Sequence, residues 1–139
     1  MEEPLTEELL GELLSSPEPS AVIDKYNIGQ LNLQGYLAQL LQEKGLKQAS
    51  VVREAGLDAT FGYQIFKGQR NASRNKILQL VFALRCSLRE ANRVLKMAGH
   101  NELYCKNKRD AIIIFCNNNK YDLHKTDAEL YRFKQETIS

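Results

Sequence analysis

Proline is scarce in this chain of 139 residues, and its three prolines all lie within the first nineteen positions. The residues that follow contain none. A protein rich in loops and β-turns is therefore unexpected, and a bundle of helices is favoured. The segment SSPEPS, residues 15–20, predicts a break between a short acidic N-terminal helix and the main body.

Long apolar runs are also missing, and the N-terminus MEEPLTEELL lacks the basic start of a signal peptide. No segment approaches the ~18 apolar residues that a membrane-spanning helix needs. We therefore expect a soluble, cytoplasmic protein without membrane contact.

Cysteines are few and widely spaced, with no CxxC pair among Cys86, Cys105 and Cys116. In a cytoplasmic chain this pattern favours reduced, buried cysteines that pack as small hydrophobic residues. A zinc site that includes His100 is disfavoured, because no close pair of ligands exists to begin one. A redox role for Cys105 stays open, since the basic segment 106–109 would lower the pKa of an exposed thiol.

Motifs of the common enzyme classes are absent as well. No glycine-rich phosphate loop follows a strand, no HExxH occurs, and no Ser/His/Asp or Cys/His set stands in a recognisable motif. We expect no catalytic residues, no metal site and no cofactor, and therefore a protein that is not an enzyme. No repeat at a fixed period is visible in the sequence.

Charge is distributed unevenly along the chain, although the net charge is only +2. Residues 1–24 contain seven acidic side chains and no basic one, whereas residues 25–109 contain fifteen basic and five acidic side chains. A basic middle segment favours a polyanionic partner, and a well-solvated helical surface is the alternative.

Hydrophobic periodicity and capping residues predict five helices with short connections in the middle of the chain. N-terminal caps are expected at Asp58 and Ser73, and Ser87 with Glu90 predicts a capping box. Glycines are expected to end the helices at Gly45, Gly56, Gly68 and Gly99. The residues expected to face inward are Leu33, Tyr36, Leu37, Leu40, Leu41, Val51, Val52, Ala55, Ile77, Leu80, Val81, Leu84, Ala91, Val94, Leu95 and Ala98.

The C-terminal part is more ambiguous. The run DAIIIFC, residues 110–116, fits a buried strand as well as a buried helix, and we favour a helix because a lone strand would lack a partner. A further amphipathic helix is expected to carry Leu123, Leu130 and Tyr131. The expected fold class is all-α: a helix-turn-helix bundle of about five helices with additional N- and C-terminal helices.

Two of the predicted helices are separated only by the tripeptide GLD. The stretch GLKQASVVREAGLDATFGYQIFKGQRNAS, residues 45–73, resembles the phage-repressor-like (Cro-like, XRE) helix-turn-helix family, and the resemblance extends over residues 33–84. It rests on Gln48 near the start of the second helix, Gly56 at the turn and Ile65 at the inner position of the third helix. It implies a sequence-specific transcriptional regulator that places one helix over the DNA backbone and the next in the major groove.

The resemblance also implies which residues contact double-stranded DNA. Gln48 would bind a phosphate, and the recognition helix, residues 59–67, would present Gln64 to an adenine and the methyl groups of Ala59 or Thr60 to a thymine. The residues that follow would hold phosphates without reading sequence. The full expected set is Gln48, Ala59, Thr60, Tyr63, Gln64, Lys67, Arg70, Asn71, Ser73 and Arg74.

Three positions depart from the family pattern. Gly62 stands where the family has a large aliphatic residue, and a glycine inside a helix costs about 1 kcal/mol relative to alanine. We expect Phe61 or Phe66 to fill the space. Phe66 also replaces an acidic residue, and Ala72 replaces a proline.

These patterns predict three parts: an acidic N-terminal helix and linker (1–24), a DNA-binding domain (25–86), and a helical extension for dimerisation or regulation (87–139). A homodimer is expected, because one recognition helix discriminates weakly among competing sites. Its contact would come from the C-terminal apolar residues Ile112, Ile113, Ile114, Phe115, Leu130, Tyr131 and Phe133, or from the N-terminal leucines Leu5, Leu9, Leu10, Leu13 and Leu14.

An alternative function stays open. The helix-turn-helix fold could serve as a protein-interaction module without DNA readout. The acidic N-terminal helix could also contact an unknown protein partner.

Overall fold

A computed structural model describes residues 6–20 and 32–139, and for residues 6–9 it describes the backbone alone. The chain divides into two compact units between residues 32 and 33. The predicted boundary after residue 24 lies outside the described residues, as do Leu5 and the side chain of Leu9.

Every regular element in the described ranges is a helix, which confirms the all-α prediction. The first unit contains α1 (Thr6–Ser15), which ends where SSPEPS begins. The second unit contains α2 (Leu33–Lys44), α3 (Gln48–Glu54), α4 (Ala59–Phe66), α5 (Arg74–Ala83), α6 (Leu88–Met97), α7 (Lys108–Asn118) and α8 (Leu123–Arg132).

Local capping explains where these helices begin. The Asp58 carboxylate accepts hydrogen bonds from the Thr60 and Phe61 N–H groups, at 3.1 and 3.2 Å. Ser73 caps α5, and Ser87 forms the predicted capping box with Glu90. These hydrogen bonds confirm all three predicted caps. Each cap satisfies backbone donors that a helix start leaves unpaired.

The core of the second unit surrounds α5. Ile77, Leu78, Leu80 and Val81 on this helix are almost fully buried, and α5 packs on α3, α6 and α8. Since these apolar side chains point in several directions around α5 and all are covered, α5 lies between the helix-turn-helix and the C-terminal helices.

The segment DAIIIFC is helical, as predicted, and forms most of α7. Ile113 and Cys116, three residues apart, are buried, whereas Phe115 is exposed. In α8, Leu130 is buried, but Tyr131 is exposed rather than part of the apolar face. The neighbouring residue on a helix points about 100° away, so only one of these two can face the core.

The prediction that all three cysteines are buried is wrong for Cys105, which is exposed on the connection between α6 and α7. Cys86 and Cys116 are buried. Burial, together with the nearby Glu90 carboxylate, raises the pKa of the Cys86 thiol to about 12, and burial also raises the pKa of Cys116. These two thiols therefore stay protonated at neutral pH and pack as apolar groups.

The expectation that Phe61 or Phe66 fills the space at Gly62 is wrong, because Val52 occupies it. A methyl group placed on Gly62 would lie 2.5 Å from Cγ1 and 2.7 Å from Cγ2 of Val52. The missing side chain of α4 is thus replaced by a branched side chain of α3, and the two helices of the motif approach closely.

The helices after residue 73 form a structural repeat that the sequence did not reveal. We call α5 and α6, residues 74–104, the first hairpin, and α7 and α8, residues 109–139, the second hairpin. Corresponding positions are offset by 35 residues. Left-handed turns occur at Arg85 and Lys120, with φ of 56° and 58°, and Ser87 and Asp122 cap the second helix of each hairpin.

Matching hydrogen bonds establish the repeat most firmly. Arg74 donates from Nε to the carbonyl of Asn101 and from Nη2 to that of Glu102. At the same offset, Arg109 donates from Nε to the carbonyl of Glu136 and from Nη2 to that of Thr137. The repeat is therefore structural, and it is present although no repeat is visible in the sequence. The sequence hides it because few residue identities are shared and the equivalence resides in backbone turns.

The two hairpins also contact each other reciprocally. Arg74 of the first hairpin donates to both carboxylate oxygens of Asp110, at 3.0 and 2.9 Å. Arg109 of the second hairpin donates to Oδ1 of Asn75 at 2.9 Å. Since 110 and 75 are themselves equivalent positions, the hairpins are related by an approximate two-fold axis.

Within the described ranges, no helix has the length and apolar character needed to cross a bilayer. In those ranges no group of three or more His, Cys, Asp and Glu side chains is arranged to hold a metal ion.

Candidate nucleic-acid interface

The helix-turn-helix consists of α3 and α4, joined by residues 55–58. On α4, Gly62, Ile65 and Phe66 are buried, while Ala59, Thr60 and Tyr63 are exposed. The buried side packs on α3 and on α2. The exposed side of α4 therefore presents the residues that were predicted to read bases.

Tyr63 and Lys67 form the centre of this exposed side. Half of the Tyr63 surface is accessible, and the Lys67 ammonium lies 5.5 Å from the centroid of the Tyr63 ring. A cation at this distance from an aromatic ring is weakly attracted to it. The pair therefore places a positive charge and an aromatic ring next to each other at the C-terminal end of α4.

Arg70 is held over the same helix by two contacts. Its guanidinium carbon lies 4.9 Å from the centroid of the Phe61 ring, and Nη1 donates a hydrogen bond of 3.3 Å to Oε1 of Gln64. Gln64 is half-buried and Arg70 is exposed. The hydrogen bond from Arg70 uses one of the two lone pairs of the Gln64 carbonyl oxygen, so a bidentate pairing of Gln64 with adenine would use the second.

The turn after α4 directs Arg70 back along the helix. Gly68 has φ of +73°, and a side chain there would meet Oε1 of Gln34, on α2, at 2.9 Å. The Gln69 N–H donates to the Gln64 carbonyl. Asn71 follows on the exposed part of this connection, as the predicted phosphate-binding role requires.

Gln48 is the first residue of α3 and is half-buried. Lys47, which precedes it in an extended conformation, is exposed. Lys47 is absent from the predicted set, although its position one residue before Gln48 could have indicated it. Phe61 was also assigned only to the fold, and its contact with Arg70 depends on a turn that the sequence pattern does not reveal.

Two members of the predicted set have internal roles. Ser73 caps α5 by accepting a hydrogen bond of 3.3 Å from the Lys76 N–H. Arg74 is more completely engaged, since its guanidinium contacts Asp110 and two backbone carbonyls. All of its nitrogens donate within the protein, and we therefore leave Arg74 out of the phosphate-binding group.

Six of the remaining predicted residues lie together. Ala59, Thr60, Tyr63, Gln64 and Lys67 belong to α4 or its C-terminal cap, and Arg70 is placed over the same helix by Phe61 and Gln64. This arrangement can bind phosphates through Lys67 and Arg70 while short polar and apolar side chains reach base edges.

Comparisons with protein-family models, with curated proteins and with solved structures found no match to this chain.

Proposed function

We propose that the protein is a sequence-specific DNA-binding transcriptional regulator of the phage-repressor-like helix-turn-helix type, acting in the cytoplasm as a two-fold dimer. The observation that carries the proposal is the exposed side of α4, on which Thr60, Tyr63 and Gln64 are flanked by the cations of Lys67 and Arg70. A helix of this kind enters the major groove, where each base pair presents a distinct pattern of donors and acceptors.

Electrostatics supports the same proposal. Lys47, Lys67 and Arg70 are exposed, and the acidic residue nearest to α4 in sequence, Asp58, accepts hydrogen bonds from the helix start. Lysines and arginines that bind phosphates release condensed counterions, and this release supplies most of the non-specific affinity for DNA.

The test is selection of bound duplexes from a random library by the full-length protein. We expect a symmetric consensus with half-sites about one helical turn, roughly 34 Å, apart, because a two-fold dimer presents two copies of α4. Failure to enrich any sequence, at low as well as moderate salt, would contradict DNA readout and favour the protein-interaction module.

Gln64→Ala is expected to weaken binding to the selected site by about 1–3 kcal/mol and to leave binding to unrelated duplexes nearly unchanged, because the loss is confined to a base contact. The measurement is a titration of both duplexes at one salt concentration. Equal losses on both would mean that Gln64 does not contact a base.

Lys67→Ala is the matched comparison. It should weaken both duplexes alike and reduce the slope of log affinity against log salt by about one, because one phosphate contact is lost. Lys96→Ala, which removes an exposed lysine from α6, should change neither quantity.

A further inference from the structure

The first hairpin shows how this two-helix repeat is covered by other helices. Lys44 at the end of α2 forms an ion pair of 3.0 Å with Glu90. The side-chain amide of Gln79 donates a hydrogen bond of 2.9 Å to the Ala55 carbonyl. Leu80, next to Gln79, is fully buried. Helix α2, through the Lys44–Glu90 ion pair, and the C-terminal end of α3, through the hydrogen bond from Gln79, therefore cover one face of the first hairpin.

The second hairpin carries different residues at the corresponding positions. Phe115 replaces Leu80 and has 57% of its surface exposed. Lys125 replaces Glu90, so the charge at this position is reversed. In the first hairpin, α2 supplies Lys44 as the ionic partner of Glu90. A helix that covered the second hairpin in the same way would have to supply an acidic side chain as the partner of Lys125.

Phe115, Tyr121 and Lys125 form one contiguous group, which we call the aromatic–lysine cluster. The Phe115 and Tyr121 rings meet edge to face, with 6.1 Å between their centroids. The Lys125 ammonium lies 4.0 Å from the centroid of the Tyr121 ring. Lys125 also stands in the first turn of α8, where a positive charge opposes the helix dipole. An anionic partner would relieve this repulsion.

The chain itself contains a helix of the required chemistry. α1 has the sequence TEELLGELLS, which includes acidic residues and no basic one. Its residues Leu10, Leu13 and Leu14 are exposed. Leucines three and four residues apart lie on one side of a helix, and such a stripe fits an aromatic surface.

We propose that α1 of a second copy of this chain docks on the aromatic–lysine cluster, and that the exchange is reciprocal, so that two copies form a two-fold dimer. Direct pairing of two aromatic–lysine clusters is disfavoured, because it would bring Lys125 of one copy toward Lys125 of the other. The acidic α1 opposite Lys125 is complementary in both charge and apolar surface. This inference specifies the contact of the dimer proposed above, and its test requires no DNA.

The test places a photoreactive phenylalanine analogue at position 115 of the full-length protein, mixed with an isotopically labelled copy. Irradiation should join position 115 of one copy to residues 6–15 of the other, as identified by mass spectrometry of the mixed-isotope products. Cross-links confined to single chains, or directed to another part of the partner copy, would overturn the proposed contact while leaving the dimer intact. A protein that stays monomeric would overturn both.

Charge and apolar variants provide a second readout. Lys125→Glu and Leu14→Glu should each raise the dissociation constant of the dimer at least about tenfold. The measurement is sedimentation of the full-length protein at several concentrations. The matched controls are Lys106→Glu and Tyr131→Glu, at exposed positions outside the cluster, and they should leave the dimer unchanged. Equal effects of test and control variants would contradict the assignment.

Discussion

Arg74→Ala is expected to lower the free energy of unfolding by about 3–5 kcal/mol, because it leaves the buried carboxylate of Asp110 without its ionic partner. Only 8% of the Asp110 side chain is exposed, and Arg74 donates to both of its oxygens. The Tyr104 N–H would remain as a donor to this carboxylate, which is insufficient compensation for a buried charge. Urea denaturation of the full-length protein measures the change.

Arg132→Ala is the matched control. Arg132 and Glu129 form an ion pair with the same 2.9 Å separation, but the arginine side chain is 66% exposed. Surface pairs of this kind contribute about 0–1 kcal/mol. If Arg74→Ala left stability unchanged and instead abolished DNA binding, the internal role of Arg74 would be contradicted and its original assignment as a phosphate contact would be restored.

Gly62→Leu should destabilise the protein by about 3 kcal/mol, near the upper end of the usual range for overpacking. The leucine would give this position an aliphatic side chain, yet its Cβ would overlap the Val52 side chain, which cannot rotate away from both contacts. Thermal or urea unfolding of the full-length protein provides the measurement.

A second substitution tests the cause. Val52→Ala should recover part of the stability lost by Gly62→Leu, because it vacates the volume that the leucine needs, and the two substitutions should couple strongly. Ala128→Leu, at an exposed position of α8, should change stability by no more than about 0.5 kcal/mol. A neutral Gly62→Leu would mean that α3 and α4 do not approach closely.

The candidate interface was partly predictable. The exposed positions Ala59, Thr60 and Tyr63 follow from the helical period once Ile65 is placed inward. Side chains return to the same face of a helix every three to four residues, and these three positions fall outside the face that contains Ile65. The internal role of Arg74 was not predictable. Its partners Asn101, Glu102 and Asp110 lie 27 to 36 residues away, and no local pattern distinguishes an arginine that binds phosphate from one that binds a distant carboxylate.

The sequence by itself determined the helices and their ends. Asp58, Ser73, Ser87 and the terminal glycines act on backbone groups a few residues away, so their effect can be read without knowledge of the tertiary structure. Only the tertiary structure decided that Val52 fills the space at Gly62, that Arg74 faces inward, and that two hairpins of dissimilar sequence are equivalent. Each of these depends on which surfaces meet in space, and contacts between residues far apart in the chain leave no periodic signal in the sequence.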